Sequence, residues 1–236
     1  MKNEMNTGSL VAVVDDDPAV CRSLGRLLSS NGYGVRTFTD AHDYVTECAD
    51  IGPACLVLDL RIAEVNGLQL FEETDAAGKA VPTIFITGMG DVASSVRAIK
   101  RGAVDFIEKP FDDLVLLDAV ERAITRYRDL RQETELLRTT LQRFCGMTTR
   151  EAEVCTLVTA GWLNKQIAAA LGIAEKTVKV HRARVMDKMR AGSVAELVIT
   201  VDWMFRMLQG HAHGHPARRD GNATAANGSI QGARTP

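Results

Sequence analysis

Leu10-Val11-Ala12-Val13-Val14-Asp15-Asp16-Asp17-Pro18 is an apolar run, rich in β-branched valine, that stops in three carboxylates and a proline. β-branched side chains suit a pleated strand, and proline placed just after the polar break suits the first turn of a helix. Behind it Val20, Leu24, Leu27 and Leu28 recur at helical spacing, and Asn31-Gly32 stops them. The same unit then repeats. Further strand-like runs stand at Tyr33 to Phe38, Cys55 to Leu58, Thr83 to Ile86 and Val104 to Ile107, separated by helix-patterned segments. That alternation predicts an α/β fold with a parallel sheet, five strands and five helices, the last helix beginning near Asp112.

The polar residues fall at the carboxyl ends of these strands. Asp15-Asp16-Asp17 follows the first, Asp59 ends the third, Thr87 the fourth and Lys109 the fifth, so an open parallel sheet gathers them on the rim where such sheets bind ligands. Crowded carboxylates repel and need a cation or a lysine nearby. Oxygen donors select Mg²⁺ or Mn²⁺. A carboxylate beside a divalent cation, a hydroxyl donor and an ammonium is what an Asp nucleophile needs to accept a phosphoryl group. Any one of these Asp residues alone reads as a helix cap, and Asp17 before Pro18 reads as one.

Outside that rim, 236 residues predict one to two compact units. With 46% hydrophobic and 25% charged residues, wholesale disorder is excluded. No apolar run has membrane-spanning length, and the start lacks a signal-peptide apolar stretch, so a cytoplasmic protein with no membrane partner is expected. The five cysteines are scattered, without a C-x-x-C pair, and read as buried free thiols. The net charge of −2 hides an asymmetry: residues 1–124 carry 11 Lys/Arg against 20 Asp/Glu, whereas 144–208 carry 9 against 6. Within 175–190 a basic stripe stands out, Lys176, Lys179, Arg182, Arg184, Lys188 and Arg190, a footprint that suits nucleic acid as well as a merely solvated helix face.

Val13-Val14-Asp15-Asp16-Asp17, Leu56-Val57-Leu58-Asp59-Leu60-Arg61, Ile86-Thr87-Gly88-Met89-Gly90-Asp91 and Gly102-Ala103-Val104-Asp105-Phe106-Ile107-Glu108-Lys109-Pro110-Phe111 together resemble the receiver hallmarks of the two-component response regulators of the NarL/FixJ family. The resemblance implies a flavodoxin-like receiver with strand order 2-1-3-4-5. It implies Asp59 as phosphoacceptor, Asp15, Asp16, Asp59 and the Arg61 carbonyl as the Mg²⁺ (or Mn²⁺) site, and Thr87 and Lys109 as phosphoryl contacts. It also implies a cis Lys109-Pro110 bond. Phe106 is the aromatic switch by the same resemblance, while its pattern alone fits core packing equally. The chain departs from the family at Ile62-Ala63, where Met-Pro is common, so the loop after Asp59 is expected to be looser. Gly67 keeps the following turn.

From Leu116 to Phe144 apolar residues step by four and three, interrupted by Thr134, so the last receiver helix is expected to run on as a connector, either packed on its own chain or forming a coiled coil. Thr148-Thr149-Arg150-Glu151 predicts a capping box opening the next helix. Asn164 to Leu171, a stop at Gly172, and Glu175 to Met189 give helix-turn-helix spacing. Val178, Val185 and Met189 mark its inner face. Lys179, Val180, Ala183 and Arg184 on the outer side suit base edges in a major groove, and Lys165, Lys176, Thr177, His181 and Arg182 suit phosphates. His181 lies near the inner face, so packing competes with DNA contact there. The stretch Asn164 to Ala168 with Glu175 to Arg182 is similar to the LuxR-type output domain, although Ala174 stands where that family often has a Ser cap.

The expected organisation is therefore a disordered 1–9, a receiver over 10–125, a helical linker over 126–143, a helix-turn-helix DNA-binding domain over 144–209 and a disordered tail over 210–236, whose His211, His213 and His215 read as solvated rather than metal-binding. The last helix, Ser193 to Gln209, has more apolar surface than one docking face needs, which implies a dimer contact. The reading is a phosphorylation-dependent transcription regulator and not an enzyme. Its partners are a sensor histidine kinase, double-stranded DNA, a second copy when phosphorylated, and RNA polymerase as a further candidate. Two rivals stay open: an Asp59 phosphohydrolase, against which Arg61 stands where such enzymes usually carry a second Asp, and an RNA- or protein-binding output module, against which the recognition helix lacks stacking aromatics.

Overall fold

The computed structural model describes the backbone of residues 8–63, 65–76, 81–88 and 92–212, and their side chains except those of 48–50, 92–95 and 210–212. Met89-Gly90-Asp91, nearly all of the expected disordered ends, and His213 and His215 lie outside the described residues. The chain divides into two compact units, Met1–Thr139 and Thr140–Pro236.

In the first unit, strands β1 (Leu10–Val14), β2 (Gly34–Phe38), β3 (Cys55–Asp59), β6 (Thr83–Thr87) and β7 (Asp105–Glu108) form a sheet in the order β2-β1-β3-β6-β7. Every pairing in it is parallel. This is the 2-1-3-4-5 order when only the sheet strands are counted. Between β3 and β6 lies a small antiparallel hairpin, β4 (Arg61–Ile62) and β5 (Val65–Asn66), where the sequence predicts a loop. Helices α1 (Pro18–Ser30), α2 (Ala41–Ile51), α3 (Gly67–Ala76), α4 (Val92–Lys100) and α5 (Asp113–Cys145) complete the alternation.

Period-two side chains split the central strands between two cores. Val11, Val13, Val57, Ile84 and Ile86 pack with Leu24 and Leu28 of α1 and Leu116, Val120 and Ile124 of α5. Ala12, Val14, Leu56, Leu58 and Phe85 pack with Tyr44 of α2, Leu68 and Phe71 of α3 and Ala98 of α4. Burial on both faces is why these strands are almost wholly apolar up to the residue at which they emerge. Asp17 caps α1, its carboxylate accepting the Ala19 amide at 2.7 Å.

The helical linker expected over 126–143 is part of α5, which runs on from the receiver as one helix, and the division between units falls inside that helix. The second unit adds α6 (Thr149–Thr159), α7 (Asn164–Leu171), α8 (Glu175–Met189) and α9 (Val194–Ala212) around Val154, Cys155, Val158, Ile167, Val178, Val185, Met189, Leu197 and Val201. The capping box is present: Glu151 donates its amide to the Thr148 hydroxyl and accepts the Thr148 amide at 2.8 Å. Gly172 closes α7 in the left-handed conformation, φ 64°, which glycine adopts without strain. Helix α9 continues past the expected end at Gln209 to Ala212, since nothing in Gly210-His211-Ala212 forbids one more turn. Cys21, Cys55 and Cys155 are buried thiols, as expected, whereas Cys145 is exposed on the last turn of α5.

Candidate phosphoryl-acceptor site and nucleic-acid interface

Strand ends build the acidic site. Each strand leaves the apolar core at its carboxyl end, and the first residue beyond the packed layers is free to be polar. Asp15 emerges from β1 with its amide donated to the Phe38 carbonyl of β2. Asp59 ends β3, and the next residue, Leu60, donates its amide to Ile86 of β6. Lys109 follows β7 and donates its amide to the Thr87 carbonyl at 2.6 Å. Asp15, Asp59 and Thr87 are all buried.

The Lys109 ammonium bridges the carboxylates of Asp15 and Asp59, 2.6 Å from an oxygen of each. The remaining oxygens are held by backbone: Asp15 Oδ1 accepts the Asp17 amide at 2.9 Å and Asp59 Oδ1 accepts the Arg61 amide at 2.8 Å. Burial pushes the Asp15 carboxyl above its ordinary pKa against the pull of Lys109. Burial also works against the Lys109 charge, but the two carboxylates outweigh it and hold the ammonium above its ordinary pKa.

Asp16 is exposed, and its Oδ2 accepts the amide of Ala63 at 2.9 Å. Ala63 has φ 50°, at the turn of the β4–β5 hairpin. In the sequence Ala63 stands out only as a missing proline; the amide it donates, which proline lacks, becomes visible in the structure. Gly67 is a second such residue, because a Cβ there would stand 2.2 Å from the Asp59 carbonyl oxygen. The Arg61 side chain is exposed, and the half-buried Phe106 ring lies 6.3 Å from that of Phe85. The Lys109-Pro110 bond is cis.

Among the described residues no three Asp, Glu, His or Cys side chains converge as a preformed metal cage. The donor chemistry nevertheless fits a hard cation. Asp15, Asp16, Asp59 and the Arg61 carbonyl are oxygen donors, and Mg²⁺ ordinarily takes one or two carboxylates and keeps several waters rather than filling an all-protein cage.

In the second unit Lys165, Lys176, Thr177, Lys179, Val180, Ala183 and Arg184 are exposed, while Val178, Val185 and Met189 turn inward. Two expected phosphate contacts sit differently. Arg182 is half-buried and donates to the side-chain Oδ1 of Asn164 at 2.8 Å, tying α8 to the first residue of α7. His181 is half-buried, with Nδ1 shut from solvent and without a hydrogen-bond partner. Lys188 of the basic stripe is engaged as well, donating to Glu151 at 2.7 Å and to the Gly146 carbonyl at 2.9 Å. That hydrogen bond and the Thr148 amide pull Glu151 down to about 2. No sequence signal marked Glu151 as more than a cap, because the partner lies 37 residues away.

A doubly wound parallel sheet with an acidic, lysine-bridged carboxyl rim, in a chain that also carries a helix-turn-helix, defines a signal receiver coupled to a DNA-binding output. Comparison with known proteins agrees. Residues 11–121 match the response regulator receiver domain, and residues 146–201 match the luxR family of bacterial regulatory proteins. The chain is 43% identical over 195 residues to nodulation protein W of Bradyrhizobium diazoefficiens, covering 83% of this chain and 86% of that protein. It is 40% identical over 188 residues to the transcriptional regulatory protein FixJ of Azorhizobium caulinodans, covering 80% and 89%. The solved structure of response regulator StyR superposes with a TM-score of 0.73 at 40% identity, over 83% of this chain and 98% of that one. The chain belongs to the NarL/FixJ family of two-component response regulators, whose members are transcription regulators rather than classical enzymes. The receiver implies a sensor kinase as partner, and the output domain implies DNA. Receiver domains generally bind Mg²⁺. Among the described residues no helix is long and apolar enough to cross a membrane.

Proposed function

We propose that Asp59 is the phosphoacceptor through which a sensor histidine kinase controls this transcription regulator in the cytoplasm. The observation that carries the reading is the Lys109 ammonium held 2.6 Å from both Asp15 and Asp59. In the transfer, an Asp59 carboxylate oxygen forms the new O–P bond as the N–P bond of the kinase's phosphohistidine breaks. Lys109 stays beside Asp59 and takes the charge of an equatorial phosphoryl oxygen, and the Thr87 hydroxyl donates to another. Asp15, Asp16, Asp59 and the Arg61 carbonyl would hold Mg²⁺, which when bound neutralises charge on the transferring oxygens. The only chemistry the chain performs is its own phosphorylation and dephosphorylation.

Added charge at the rim draws Thr87 toward the phosphoryl group, and Phe106 turns inward behind it. The receiver then favours a dimer, and two output domains engage two half-sites, so effective concentration supplies the affinity. Lys179, Val180, Ala183 and Arg184 face bases. Lys165, Lys176 and Thr177 face phosphates, with Arg182 and His181 at their inner edge. RNA polymerase is the partner that reads out the bound state. The test is light scattering and duplex binding with acetyl phosphate and Mg²⁺. The parent chain should dimerise and tighten on DNA, and Asp59→Asn should do neither. A dimer that forms equally in both proteins sinks the coupling.

A further inference from the structure

Trp162 and Leu163 form the turn between α6 and α7, and they are 41% and 69% exposed. Neither belongs to the apolar cluster that makes the unit's core. Folding gains little from leaving an indole and an isobutyl group side by side in water, so the pair is better explained by something that covers it. The backbone here is firmly set. Gly161 has φ 84°, the Trp162 amide is donated to the Leu157 carbonyl, and the Leu163 amide is donated to Gln166 Oε1 at 2.8 Å. Leucine has no oxygen with which to cap α7, a position where a polar side chain is the ordinary choice.

What surrounds the pair says what covers it. Asn164, the next residue, is tied to Arg182 of α8, and Lys165 after it is exposed. Lys176, Lys179 and Arg184 continue the exposed positive charge along α8. In helix-turn-helix docking the first helix of the motif crosses the sugar-phosphate backbone while the second enters the major groove. An apolar pair at the entry to α7, ending two residues before the exposed Lys165, would meet the deoxyribose edges beside the phosphates that Lys165 neutralises. We propose that Trp162 and Leu163 are a further DNA contact, seating the output domain on the sugars flanking the groove. The proposal rests on the DNA-binding reading of the domain and adds an apolar, sequence-independent surface to it.

The full-length Trp203→Phe variant leaves Trp162 as the reporter, since the chain has two tryptophans. The probe is a labelled duplex enriched from random sequence by the phosphorylated chain, its anisotropy read alongside acrylamide quenching of Trp162. Trp162 should become several-fold less quenchable as anisotropy rises. Trp162→Ala and Leu163→Ala should each weaken binding about five- to tenfold. Apolar contacts release no counterions, so the dependence of affinity on salt should keep its slope, whereas Lys165→Ala should lower that slope by about one. If anisotropy rises while Trp162 stays fully quenchable, or becomes shielded only after RNA polymerase is added, the proposal is overturned and the DNA-binding reading stands. A slope that falls in Trp162→Ala overturns it too, because the loss then comes from displaced charge. If anisotropy does not rise for the parent chain, the DNA-binding reading itself fails and the proposal falls with it.

Discussion

Ala63 is where one residue's chemistry separates this chain from its family's common pattern. Its amide holds Asp16, and its φ of 50° is one that proline, fixed near −65°, cannot adopt. Restoring the family's proline here, Ala63→Pro, should therefore destabilise the first unit by more than about 1 kcal/mol, read by urea unfolding, although proline in a compatible loop ordinarily stabilises. An unchanged midpoint would mean that the turn has no need of this amide. Gly67 shows the same limit on reading from sequence. Its place eight positions after Asp59 marked a turn, but not that the Asp59 carbonyl lies against it. Asp15, Asp59, Thr87 and Lys109 were legible because strand ends collect on one rim whatever the details of packing. The pairings that hold Arg182, Lys188 and Asp16 were not, because each joins residues distant in the chain whose proximity depends on helix packing or loop path.

Elements, unlike pairings, announce themselves by period. The sheet strands and α1 were readable because β-branched alternation and helical spacing survive any tertiary context that buries them. The β4–β5 hairpin was not, since two-residue strands carry no period. The end of α9 was missed because a composition rich in small and polar residues does not by itself stop a helix. Helix α6 offers a pH test of its own start. Glu151 is held at about 2 by the hydrogen bond from Lys188 and by the Thr148 amide, against an ordinary 4.5. A carboxyl with a depressed folded pKa stabilises fully above its unfolded pKa, and that contribution is lost as pH falls through the folded value. The stability gap between the parent chain and Glu151→Gln should therefore be widest above pH 4.5 and close toward about pH 2. Both tryptophans lie in the second unit, so their fluorescence in urea reads that unit alone. A gap that stays constant with pH would remove Glu151 from the account.

At the scale of the molecule, the division of labour is carried by charge as much as by fold: an acidic receiver precedes a basic reader, and the net charge of −2 conceals both. The sheet bears on how the receiver moves. The amides of Asp15, Leu60 and Lys109 are each donated to a carbonyl of a neighbouring strand, so the ladder runs into the acidic rim instead of stopping short of it. Deuterium uptake at these three amides should be as slow as in the middle of β1 and β3, opening only with global unfolding. Fast uptake there would mean that the rim frays independently. With slow uptake there, the acidic rim yields as little as the middle of the sheet, and the arrival of a phosphate is not reported by the rim deforming itself. Whatever news leaves it must travel outward through torsions of side chains and through the connecting segments around it, the way a fixed anvil passes on a blow without changing shape.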